Sequence, residues 1–128
     1  MEYEAYKELV LKILEEEPHL SLSGYRGEKR DITEEPYLLG RKSHHHTLQA
    51  ITFLKSIITP QGKFRNGQEL AHMYSVIKWA NRTYDQEEGI HFFHVYCAVS
   101  YLNIGFDIKY RKEGDLPVVY PSNEHSIL

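Results

Sequence analysis

The stretch that decides the fold is IHFFHVYCAVSYLN, residues 90–103, because it is apolar on almost every side. It follows Asp85 and Glu88, whose spacing fits a capping box, and the two features together predict a helix over residues 86–103. A surface helix buries one stripe, whereas a helix that is apolar all round is enclosed by other elements. The sequence therefore predicts a central helix late in the chain, with the other elements packed around it.

Hydrophobic residues at helical spacing predict three earlier helices, over residues 2–17, 43–59 and 67–84. Ser43 is the expected N-cap of the second, and Asn66 with Glu69 forms the expected capping box of the third. The first helix ends with Glu15–Glu17, and carboxylates at the negative end of the helix dipole predict a weak last turn. These helices and the central one predict a four-helix domain.

The hydrophobic period changes from 3.6 to 2 after residue 103, which predicts two strands, over residues 104–111 and 116–120. The turn signal Glu113-Gly114-Asp115 between them predicts an antiparallel hairpin. Residues 18–42 are expected to be irregular, although Leu20–Ser23 fits a short strand and Tyr25–Arg30 a mobile loop that contacts a partner. The predicted fold is a single α+β domain over residues 1–128, mainly α.

Composition limits the classes of function. The chain has 128 residues, a net charge of −3 and one cysteine, so we expect no internal disulfide and no overall attraction to nucleic acid or membrane. The single thiol, Cys97, falls within the apolar helix, where we expect it to stay protonated and unreactive. With no membrane-spanning run and no leader, we expect a cytoplasmic protein, or one that acts inside a host cell, without a cofactor.

The segment RNGQELAHMY, residues 65–74, gathers the residues best suited to chemistry. If a helix starts near residue 67, its unpaired N–H groups attract anions, and Arg65 lies just outside them. His72 follows at the border of the apolar face, and an imidazole titrates near neutral pH. The expected ligand at this point is a phosphate group.

Arg65, Asn66, His72 and Tyr74 resemble the signature of HEPN ribonucleases, an arginine and a polar residue followed at a short interval by histidine. In that family a helical bundle, usually dimeric, cuts RNA without metal. The resemblance implies that Arg65 holds the scissile phosphate and that His72 moves protons for attack by the ribose 2′-hydroxyl. It further implies that Asn66 positions the substrate and that Tyr74 supports the histidine.

Two other functions are open. His91 and His94 are three residues apart on one helix, His72 lies on the preceding helix, and His44 or His46 opens another. Three or four of these imidazoles would form a metal site if the helices brought them together. The leading hypothesis is a non-catalytic protein that binds a macromolecule as a regulator, inhibitor or adaptor. A protein is its first expected partner, with RNA and a second copy of the chain as alternatives, and exposed tyrosines would supply contact area.

Overall fold

The computed structural model describes residues 1–59, 63–67 and 71–102, and the backbone of two strands nearer the C-terminus. The helices are α1 (Tyr3–Glu16), α2 (Glu35–Leu38), α3 (Arg41–Ile57), α4 (Met73–Thr83) and α5 (Phe92–Leu102). The strands are β1 (Leu20–Ser21), β2 (Gly24–Tyr25), β3 (Ala71–His72), β4 (Phe106–Lys109) and β5 (Val118–Pro121). The fold is therefore α+β and mainly α, which confirms the predicted class.

Helix α5 is the centre of the core. Its side chains from Phe92 to Val95 and at Cys97 and Ala98 are almost fully buried, and it packs against α1, α3 and α4. The segment is apolar on almost every side because helices pack against it from several directions. Burial of this apolar surface is the main stabilising contribution to such a fold. The burial of α5 agrees with the predicted central position of this helix.

The predicted hairpin is present as the antiparallel pair β4–β5, with Phe106 opposite Pro121 and Lys109 opposite Val118. Strand β3 adds to the other side of β5, so the sheet order is β3-β5-β4. The outer parts of the predicted strands, residues 104–105, 110–111 and 116–117, lie outside the described residues. No local sequence pattern predicted the third strand, β3.

Helix α4 begins at Met73, with His72 as its N-cap residue, so the predicted start near residue 67 is wrong. Gly67 has a φ of 82°, outside the helical region, and Ala71 and His72 pair with β5 instead. The predicted N-cap, Asn66, lies in a turn, and Glu69 lies outside the described residues. A strand pairing with a distant part of the chain thus overrode the local capping signal.

Helix α5 begins at Phe92, and the predicted start at residue 86 is also wrong. Asp85 and Gly89 have φ angles of 51° and 144°, which break the helical path between α4 and α5. The backbone groups of Ile90 are bonded by the buried side chain of Asn81 instead of by a helical turn. Asn81 Nδ2 donates to the carbonyl of Ile90, and Asn81 Oδ1 accepts from its N–H. Similarly, α3 begins at Arg41 with Gly40 as its cap residue, so Ser43 is a buried residue of the first turn.

Residues 18–42 are more ordered than an irregular connection. They contain the β1–β2 hairpin, in which Leu20 pairs with Tyr25, a 3₁₀ turn at Ile32–Glu34, and the short helix α2. The expected short strand at residues 20–23 is thus present in its first half. Within the described part of the chain, no helix combines the length and apolar character needed to span a membrane.

Candidate functional site

The turn that carries Arg65 is attached to the end of α3. The backbone N–H of Arg65 donates to the carbonyl of Ile57 at 2.9 Å, and its side-chain Nε donates to the carbonyl of Ser56 at 3.1 Å. Phe64 is buried directly before it. These bonds fix the base of the arginine side chain while the residue as a whole remains exposed, so its guanidinium is held at the protein surface.

A small cleft opens beside Arg65, with a volume of about 170 Å³. Its lining comes from the end of α3, the turn after it and the middle of α4: Ser56, Ile57, Phe64, Arg65, Asn66 and Trp79. The rings of Phe64 and Trp79, with Ile57, form the apolar part, and Arg65 and Asn66 form the polar rim. We call this feature the Arg65–Trp79 cleft.

Basic residues lie on all three segments that line the Arg65–Trp79 cleft. Lys55, Lys63 and Lys78 each neighbour a cleft residue in the sequence, and Arg82 lies one helical turn after Lys78. All of them, like Arg65, are exposed. Within the described part of the chain, the ion pairs involve only residues 4–35, so none engages these cations. We call this group of five, Lys55, Lys63, Arg65, Lys78 and Arg82, the basic face.

The distribution of charge along the sequence indicates the basic face, whereas the motifs do not. Residues 41–84 carry seven basic side chains and one acidic one, Glu69, although the whole chain has a net charge of −3. Asp85 and Glu87 share a groove with Lys78 and Arg82 and mark the edge of the face. A local cationic surface on an acidic protein is a feature of proteins that bind polyanions.

The structure puts His72 at the start of α4, exposed, with φ −67° and ψ 137°. Trp79 lies in the middle of α4, roughly two helical turns after His72 along the chain. Arg65 lies beside Trp79, and among the described residues no hydrogen bond or ring contact joins Arg65 to His72. The two predicted catalytic groups are therefore both accessible to solvent but are not in direct contact.

Tyr74 faces a different surface. Its hydroxyl donates to the carbonyl of Ser23 at 3.4 Å, and its ring centroid is 6.1 Å from that of Phe92. These contacts direct Tyr74 toward the β1–β2 hairpin. Neither of them is with His72, the residue that the resemblance implies Tyr74 supports. Asn66, by contrast, lies beside Arg65 at the rim of the cleft.

Four histidines, His45, His46, His91 and His94, form a contiguous cluster of rings, but His72 is not one of them. The ring of His94 is 5.5 Å from that of His46 and 5.8 Å from that of His91, measured between centroids. Both ring nitrogens of His94 are engaged, since Nδ1 accepts the backbone N–H of His91 and Nε2–H donates to Ser43 Oγ. Among the described residues, no three His, Cys, Asp or Glu side chains are arranged to hold a metal, so His72, His91 and His94 do not form the metal site expected as an alternative.

Burial favours the neutral form of His94 and His46. The pKa of His94 is lowered to about 3, mainly by burial and also by the neighbouring His46 and His91, because a second positive charge is unfavourable there. The pKa of His46 is also lowered, chiefly by burial. Burial raises the pKa of the Cys97 thiol, in agreement with its expected inertness. Near neutral pH, His94 therefore contributes packing and hydrogen bonds.

Comparison with protein families, curated proteins and solved structures found no match to this chain. The resemblance to HEPN ribonucleases thus depends on the four motif residues alone.

Proposed function

We propose that this protein is a non-catalytic RNA-binding protein that acts as a regulator or adaptor, and that its basic face is the binding surface. The observation that carries the proposal is the presence of five exposed cations on the three segments that form the Arg65–Trp79 cleft. Because cellular RNA is found inside the cell, an intracellular location of the protein is part of the proposal. A protein partner with an acidic surface is the competing interpretation.

The physical basis is phosphate neutralisation. Lysine and arginine side chains release condensed counterions when they contact the phosphates of a nucleic acid, which supplies affinity without sequence specificity. Arginine adds bidentate geometry, and the bonds from Arg65 to the end of α3 reduce the freedom that this side chain loses on binding. The basic face combines one such fixed arginine with four other cations.

Charge reversal tests the proposal. We expect Lys78→Glu/Arg82→Glu to weaken binding of a labelled single-stranded RNA by at least about tenfold, because two contacts of about 1 kcal/mol or more become repulsive. Fluorescence anisotropy gives the dissociation constant. Lys12→Glu/Lys29→Glu is the matched control, since both of these lysines are exposed in the acidic N-terminal third of the chain.

Equal losses in the two double variants would contradict the proposal, as would the absence of RNA binding by the unmutated protein. If an acidic protein binds instead, and the Lys78→Glu/Arg82→Glu variant loses it, the face is a protein interface. Circular dichroism of each variant confirms that the helices are intact.

A metal-independent ribonuclease is the second candidate, favoured by the exposure of both Arg65 and His72. If RNA is cut, we expect cleavage in EDTA and its loss in His72→Ala, because the imidazole would transfer protons to and from the reacting oxygens. His45→Ala is the control, an exposed histidine on α3. Product formation on single-stranded and structured RNA separates the candidates, since a protein that binds RNA without cutting it excludes the ribonuclease.

A further inference from the structure

Trp79 is the only tryptophan of the chain and lies in the wall of the cleft. It is 37% exposed, although α4 buries Met73, Val76 and Ala80 on its core side. An indole of this size gains by burial, so a partly exposed ring beside an apolar recess is a surface suited to a second flat, apolar group.

The size of the cleft limits what can enter it. Pockets that enclose a complete small-molecule ligand usually measure about 300–1,000 Å³. The Arg65–Trp79 cleft has about 170 Å³, with Ile57, Phe64 and Trp79 as its apolar lining. It therefore suits one ring-sized group that belongs to a larger molecule, rather than a complete ligand.

The rim of the cleft adds an anion-binding group. Arg65 is held through its Nε by the carbonyl of Ser56, itself a cleft residue. In a nucleotide the phosphate is joined to the base through a single sugar. A base inside the cleft thus brings its phosphate toward a cation at the rim, and the rest of the basic face continues along the backbone of the strand.

We infer that the Arg65–Trp79 cleft binds one unpaired base of an RNA strand, stacked on the Trp79 indole, with the adjoining phosphate on Arg65. This inference rests on the proposed function and specifies the form of RNA that is bound. A duplex base is already stacked and paired, whereas an unpaired base can insert and stack on an aromatic side chain. An acidic peptide would use Arg65, but its carboxylates offer no flat ring to the indole.

Intrinsic fluorescence tests the inference, because the whole tryptophan signal comes from Trp79. We expect an unlabelled single-stranded RNA of eight nucleotides to quench the emission by half or more. The same RNA in a duplex, and inorganic polyphosphate, should compete for the basic face with little quenching. We also expect Trp79→Ala to weaken single-strand binding about tenfold, since stacking on an aromatic side chain contributes about 1–3 kcal/mol per base.

Tyr37→Ala is the control for loss of an exposed aromatic ring, because Tyr37 is 39% exposed on α2, away from the cleft lining. Quenching of equal size by polyphosphate, or no quenching by bound single-stranded RNA, would overturn the inference. If Lys78→Glu/Arg82→Glu still weakens binding in that case, the proposed function stands without a base in the cleft. If Trp79→Ala does not fold, the three fluorescence titrations of the unmutated protein decide the question alone.

Discussion

Arg30 shows how one residue organises a segment that the sequence left irregular. Its guanidinium donates to the carbonyls of Leu14, Glu17 and Leu20, so it closes the C-terminal end of α1 over the β1–β2 hairpin. A cation at this end of a helix is favourable, and it opposes the unfavourable charge of the glutamates in the last turn. The periodicity of α1 was enough to predict the helix, but no local pattern indicated that Arg30, 13 residues after Glu17 and 16 after Leu14, would bond its end.

We expect Arg30→Ala to lower the free energy of unfolding by about 3 kcal/mol. Three hydrogen bonds from a charged donor are lost, each worth about 1.5–3 kcal/mol but not additive, and the buried carbonyls lose their partner. Denaturation by urea measures the change. Arg26→Ala is the control. Arg26 is half exposed, and its guanidinium is as far as 4.0 Å from the carboxylate of Glu34, so its loss should cost less than about 1 kcal/mol. Similar effects of the two substitutions would contradict this account.

The elements differ in how far the sequence could predict them. Helices α1, α3 and α5 follow from the spacing of apolar residues such as Tyr6, Val10 and Ile13, since that spacing is a local property. The starts of α4 and α5 do not, because they depend on the pairing of His72 with β5 and on the positive φ of Gly89. The cleft was not predicted for the same reason. Phe64 and Trp79 line one cleft only after α3 and α4 have packed together.

The histidine cluster between α3 and α5 predicts an effect of pH. The unfolded state takes up a proton on an ordinary histidine near pH 6.5, whereas the pKa of folded His94 is about 3. The contribution of His94 to stability is therefore constant above about pH 7 and falls as the pH is lowered from 6.5 toward 3. From this histidine alone we expect a loss of about 2 kcal/mol at pH 5.

Urea denaturation at pH 7.5 and pH 5, compared with His94→Gln, isolates this effect from that of the carboxylates. The difference between pH values should shrink by about 2 kcal/mol in the variant. His72→Gln, at an exposed position outside the cluster, should behave like the unmutated protein. A His94→Gln variant with the same pH dependence as the unmutated protein would show that His94 is not the group responsible.

For the whole molecule, the distribution of charge matters more than its sum. The first 40 residues carry ten acidic and five basic side chains, and the next 44 carry one acidic and seven basic. The net charge of −3 hides this separation, which is why composition gave no expectation of RNA binding over the whole chain. The fold turns the sequence asymmetry into a surface, because Lys55, Arg65 and Lys78 come from three segments that meet at one cleft.

The dependence of RNA affinity on salt concentration is the most direct test of the basic face. For a single strand the logarithmic slope is about −0.7 for each neutralised phosphate, so five contacts give a slope of about −3.5. Fluorescence anisotropy across a salt series should give this slope for the unmutated protein, and one smaller in magnitude by at least about 1.4 for Lys78→Glu/Arg82→Glu. Equal slopes for the two proteins would contradict the claim that this face binds the RNA backbone.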